Sequence, residues 1–128
     1  MTLAFLGAVG RGRLPQLAAI ARRSATRGFD IHLDRTACWP RHAVVYAAPQ
    51  RVPPALVALV ANLVAALRED GFEPEARVWQ PHVTLLRDAR APRDGAPLAI
   101  DWPVREFVLI ESRGGEYRRC GCWPLAPI

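Results

Sequence analysis

Residues 79–87 read Trp79-Gln80-Pro81-His82-Val83-Thr84-Leu85-Leu86-Arg87. The stretch predicts a strand over 82–87, with Pro81 at its first position, where a missing N–H does least harm. Side chains at i and i+2 of a strand stand on one face. His82 and Thr84 are therefore expected side by side. An imidazole that gives or takes a proton near neutral pH then stands next to a hydroxyl that can donate to an anion. Arg87 is odd-spaced from His82, so it leaves by the other face unless the strand bulges or ends. Spacing alone does not make a site, because two polar residues on a solvated strand face give the same pattern.

Outward from this stretch, the chain alternates strands and helices. Thr2 to Gly7 is a short apolar run ending in glycine, read as a buried strand. Leu14, Leu17, Ala18, Ile20 and Ala21 recur at helical spacing through about Ala25, and Gly28 stops that helix. Phe29, Ile31 and Leu33 alternate with Asp30, His32 and Asp34, the mark of a half-exposed strand. His42 to Ala48 reads as a more buried strand. Pro53 and Pro54 open a second helix at its permitted end, and an apolar stripe from Leu56 to Leu67 carries it to Asp70 and Gly71. Residues 88–97 form a loop, Glu106 to Glu111 a strand, Gly114-Gly115 a turn, and Tyr117 to Leu125 a closing strand. The order predicts one α+β domain over 1–128 with a largely antiparallel sheet.

The chain has 128 residues, 17 basic against 12 acidic, giving a net charge of +5, and 51% of it is hydrophobic. That apolar content excludes intrinsic disorder, and no apolar run approaches the ~18–20 residues of a membrane span. All the basic residues are arginine, which favours planar bidentate contacts to phosphate or carboxylate. The charge suits an anionic ligand such as RNA. An odd count of 3 cysteines, with Cys120 and Cys122 too close for an easy bridge, sets a reducing, cytoplasmic expectation. The apolar start lacks a basic leader and is followed by Arg11 and Arg13, so export is not expected.

Other polar residues have plainer readings. His32 lies between two aspartates on an exposed strand, and His42 at a strand entrance reads as a surface residue. Cys120 and Cys122 have no further ligand at metal spacing, so no metal is expected. Arg22, Arg23 and Arg27 lie at a helix C-terminus, where they suit the dipole. Trp79, three residues before His82, is the best aromatic for stacking on a base. Trp39, Trp102 and Trp123 read as core or edge packing.

The run from Pro81 to Ala89 closely resembles the second signature of the RNA 2′,3′-cyclic phosphodiesterase family. This family, also called 2′-5′ RNA ligases, belongs to the two-histidine (2H) phosphoesterases, whose members carry two His-x-Thr-x motifs. Thr2-Leu3-Ala4-Phe5-Leu6-Gly7 resembles the tail of the first motif. Trp39 to Tyr46 is similar to the segment between the motifs, and Tyr117 with Trp123-Pro124-Leu125 to the closing strand. The resemblance implies the family's two-lobed antiparallel sheets with helices packed outside, lacking the first strand and helix. It also implies hydrolysis of RNA 2′,3′-cyclic phosphate ends, including those of transfer RNA, to 2′-phosphomonoesters, with no metal and no cofactor.

On that pattern His82 is the general base, Thr84 and Thr2 donate to the non-bridging phosphate oxygens, and Arg87 and Trp79 bind substrate. The first-motif histidine would stand immediately before Met1. Either the natural protein starts further upstream, or this is a truncated product. With one of two proton-transfer groups absent, the chain as given is expected to turn over weakly or not at all, since such a group contributes ~10²–10⁴ in rate. Two other readings stay open: a non-catalytic RNA-end or nucleotide-binding module, and a 2′-5′ RNA ligase using the same site. The oligomeric state is left open, with an unpaired sheet edge as one route to a dimer.

Overall fold

The computed structural model describes residues 1–90 and 97–128 of the chain. The elements are α1 (Leu14–Ser24), β1 (Phe29–Leu33), β2 (Arg35–Trp39), β3 (Val44–Ala48), α2 (Pro54–Glu69), β4 (Val83–Leu86), β5 (Ile100–Val104), β6 (Glu106–Arg113) and β7 (Glu116–Pro124). Three sheets result: β1 with β5, the three-stranded β2-β3-β4, and β6 with β7. The pairs β2–β3, β3–β4 and β6–β7 are antiparallel. The chain alternates between two compact units of three segments each, one of Met1–Leu3, Asp30–Pro53 and Arg77–Trp102, the other of Ala4–Phe29, Pro54–Ala76 and Pro103–Ile128.

The second unit is built on the two helices. Pro15 in the first turn of α1 and Pro54 at the start of α2 sit where a missing N–H is tolerated. Leu17 and Ile20 of α1 are buried with Ala66, Leu67 and Phe72, and Ala4, Leu6, Val9 and Leu109 pack against that cluster. Helix α2 ends at Gly71, whose φ of +81° is the left-handed conformation that glycine adopts without a Cβ penalty. Phe72 N–H donates to Leu67 C=O at 2.9 Å and Gly71 N–H to Arg68 C=O at 3.1 Å, a Schellman closure.

Two carbonyls at this helix end also accept from α1 and the residue before it. Arg13 and Gln16 both donate to Asp70 C=O. Arg23 donates to Ala66 C=O and grips both Asp70 carboxylate oxygens, at 2.9 and 3.2 Å. One arginine thus ties the two helices and caps one of them, which a flexible ammonium would do less well. The β6–β7 ribbon turns at Gly114-Gly115, with φ of +57° and +82°, the two positive values that a tight hairpin turn of the right twist requires.

The first unit holds the three-stranded sheet. Its central strand, β3, is buried along its whole length, so its sequence is apolar without alternation. β1 instead alternates, with Phe29, Ile31 and Leu33 buried and Asp30 and His32 exposed, as its period-2 pattern predicts. His32 is not merely solvated: its ring pairs with the Asp101 carboxylate of β5.

Several expectations change. Thr2 to Gly7 is not a strand. It has no ladder, Phe5 is 61% exposed, and its one backbone bond joins Phe5 C=O to Glu75 N–H. Ala4 and Leu6 meet their apolar requirement against the helical cluster, so the run is extended without sheet pairing. Two strands were not anticipated. β2 is half-buried and mixed in composition, and β5 carries Pro103. The strand expected over 82–87 is shorter, Val83–Leu86, and His82 lies just before it. The loop expected over 88–97 falls largely on residues 91–96, outside the described residues.

Candidate functional site

β4 hydrogen-bonds to β3 with a break in register. Thr84 pairs with Tyr46, but Leu86 pairs with Val45, so Leu85 is one residue more than the partner strand supplies. Such a bulge reverses the inside-outside order of everything beyond it. His82 and Thr84 share a face by the ordinary period, and the extra residue returns Arg87 to that same face. All three line one open groove of about 430 Å³, together with Trp39, His42, Val44 and Arg77.

The His82 ring is held on two sides. Its Nδ1 lies 2.7 Å from the Gln80 carbonyl oxygen, which can only accept, so Nδ1 carries the proton. Nε2 then keeps its lone pair and is the basic atom. The ring stands edge-on to Trp39, with centroids 4.6 Å apart, and to Tyr46 at 5.7 Å. Trp39 and Tyr46 are themselves stacked at 4.1 Å.

Two strained backbone positions adjoin residues of the groove. Pro40–His42 forms a 3-10 turn that ends at Ala43, a non-glycine residue with φ of +48°. Ala43 C=O accepts from Ala89 N–H at 3.1 Å, and Asp88 before it also has positive φ, +53°. Two left-handed residues, next to His42 and Arg87, are thereby tied together beside the groove. Ala43→Gly is expected to raise stability by up to about 1 kcal/mol. It relieves ~1–2 kcal/mol of left-handed strain and adds ~0.4–1 kcal/mol of unfolded-state entropy. The urea midpoint measures the balance.

Of the sequence-derived residues, His82, Thr84 and Arg87 come together. Thr2 and Trp79 do not line the groove. They meet each other: the Trp79 indole N–H donates to Thr2 C=O at 3.0 Å, which holds Thr2 beside the segment leading to His82. Trp39, His42 and Arg77 are groove residues that sequence reading set aside or passed over. Trp39 packs as expected, but the object it packs on includes His82. No group of His, Cys, Asp or Glu among the described residues is arranged to hold a metal ion. Cys38, Cys120 and Cys122 are free thiols, and the Glu106 carboxylate, accepting a hydrogen bond, pushes the Cys122 thiol above its ordinary range. No helix among the described residues is long and apolar enough to cross a membrane.

The model of the 2′-5′ RNA ligase superfamily matches residues 1–116. The chain belongs to this superfamily. Within it, the chain is 34% identical over 114 residues to the RNA 2′,3′-cyclic phosphodiesterase of Escherichia coli, a match that takes in 88% of the chain and 65% of that protein. The chain thus spans less than two thirds of the length of this relative. Several solved structures have the same fold. A crystal structure named only as a phosphoesterase superposes with a TM-score of 0.84 at 30% identity, covering 98% of the chain and 75% of its own. E. coli LigT complexed with 3′-AMP gives 0.83 at 32% identity, covering 97% and 75%. A Thermus thermophilus protein gives 0.83 at 26%, covering 98% and 77%. The α+β, two-histidine phosphoesterase fold expected from the sequence is therefore the fold of this superfamily member.

Proposed function

We propose that the chain acts on RNA ends carrying a 2′,3′-cyclic phosphate and opens them to 2′-phosphomonoesters. The observation that carries this is the bulge in β4, which gathers a base, a hydroxyl donor and a guanidinium on one wall of one groove. His82 Nε2 takes a proton from water, whose oxygen attacks phosphorus as the P–O3′ bond breaks. Thr84 Oγ1–H and the Arg87 guanidinium donate to the non-bridging oxygens, where negative charge grows. Thr2 and Trp79, outside the groove lining, hold the segment that leads to His82. Protonation of the departing O3′ falls, by the family pattern, to the histidine of the first His-x-Thr motif. The phosphodiesterase name of the E. coli relative and the LigT complexes with 3′-AMP and with phosphate suit a groove of this chemistry. The unpaired thiols suit a reducing compartment, and we assign the chain to the cytoplasm on the same reading.

The test is product analysis on an oligoribonucleotide ending in a 2′,3′-cyclic phosphate. A 2′-phosphate end is expected, and Thr84→Val is expected to slow its formation by about 10²-fold. A 3′-phosphate end would refute the assignment. A 2′-5′ joined product would move it to ligation, and tight binding with no turnover at all would move it to an RNA-end binding module.

A further inference from the structure

His82 follows Pro81 and lies just before β4, and its polar anchorage is slight. Its hydrogen bond, from Nδ1 to the Gln80 carbonyl at 2.7 Å, reaches only two residues back. That bond selects the tautomer, but it ties the ring only to the segment that carries it. An imidazole that moves protons is commonly oriented by a buried carboxylate. Among the described residues, no carboxylate lines the groove. The ring's contacts across the sheet are aromatic instead. Trp39, the last residue of β2, lies T-shaped to it at 4.6 Å and 81°, and Tyr46 at 5.7 Å and 72°. Trp39 is in turn stacked on Tyr46 at 4.1 Å. Tyr46 is 9% exposed, belongs to the buried central strand and pairs with Thr84 in the β3–β4 register. A line of contact therefore runs from the most buried strand through two rings to His82, from outside the segment that carries it.

We propose that Trp39, braced by Tyr46, is a positioning residue for His82: its indole holds the imidazole plane so that Nε2 faces the water that attacks phosphorus. This rests on His82 being the base of the groove, as proposed above. T-shaped aromatic pairs with centroids ~4.5–7 Å apart are worth more than the area they bury, and both contacts to His82 fall in that range. Proton transfer needs the basic atom within hydrogen-bond reach, so a ring released from this contact loses rate. Trp39 acts through His82 and not on the substrate. Its removal slows the chemical step and leaves affinity, which Thr84 and Arg87 set, nearly as it was. Tyr46 lies in the buried strand, where substitution would test folding more than orientation. Trp39 is half-buried at a strand end and is the position to vary.

Trp39→Leu keeps an apolar side chain and removes the ring, whereas Trp39→Phe keeps a ring. With the full chain in excess over a cyclic-ended oligoribonucleotide, Trp39→Leu is expected to slow the chemical step about three- to tenfold, the worth of one aromatic pair. The protein concentration giving half the maximal rate should stay within about twofold of the native value. Trp39→Phe should recover most of the rate. A second readout needs no turnover. Nuclear Overhauser contacts between the His82 ring and the Tyr46 ring, read in the free protein, should weaken in Trp39→Leu and return in Trp39→Phe. Where Trp39→Leu does not fold, Trp39→Met, also ringless, carries the same expectations, and loss of folding in both overturns the proposal. So do a native chemical step or native Overhauser contacts in the ringless variant, or a loss that Trp39→Phe does not recover. A loss confined to affinity overturns it too and makes Trp39 a substrate contact. If His82→Ala turns over as fast as the native chain, the base assignment itself falls. If His82→Ala is impaired and Trp39→Leu is not, only the role of Trp39 falls.

Discussion

His82→Ala is expected to lower hydrolysis of a cyclic-phosphate end by about 10²–10⁴, the contribution of one general base. The loss should appear in the rate of the chemical step with little change in substrate affinity, because Thr84 and Arg87 still hold the phosphate. Single-turnover measurement with protein in excess isolates the chemical step. The orientation argument sharpens the expectation. His82 Nδ1 donates to Gln80 C=O, and Trp39 and Tyr46 lie T-shaped against the ring, so the neutral ring presents Nε2 as its basic atom. A glutamine at this position can reproduce the donation but supplies no basic atom. His82→Gln should therefore be as impaired as His82→Ala. Recovery of more than a small part of the rate in His82→Gln would remove His82 from the role of base.

Ile20→Ala should have the largest effect on stability, about 2–5 kcal/mol. Ile20 is 1% exposed and packs where α1 meets α2, beside Leu17, Ala66, Leu67 and Phe72. Its removal leaves a void lined by groups that rigid helices cannot move to fill. Typical domains hold only about 5–15 kcal/mol in total, so the variant should sit near the edge of folding. A lower urea midpoint with an unchanged slope is the expected result. The Arg23–Asp70 pair nearby is more conspicuous, but Arg23 is exposed and solvent screens it. Arg23→Ala should therefore cost much less than Ile20→Ala. The reverse order would mean that capping of α2, rather than the apolar cluster, holds the helices together.

What the sequence disclosed follows the physics of local and distant contacts. Both helices were legible because proline at the start, glycine at the end of α2 and a wide apolar stripe are local signals. β1 was legible because one face is wet and the other dry. β2 was not, since Arg35-Thr36-Ala37-Cys38-Trp39 is half-buried on a sheet whose other two strands lie beyond it in sequence. Thr2 to Gly7 misled because a short apolar run fits an extended coil lying on helices as well as it fits a strand. His82 with Thr84 followed from period 2. His42, Trp39 and Arg77 arrive from separate segments, and no spacing rule joins them.

The extra residue at Leu85 sets a condition on any transfer of this chemistry to another scaffold. On a perfectly regular ribbon, His-x-Thr-x-x-Arg would send its guanidinium to the back of the sheet, and a graft of the three side chains alone would be inert. Deleting Leu85 in place should do the same to the native protein, inverting one cation while every catalytic atom type survives. The working unit is thus the irregularity together with the side chains that it redirects.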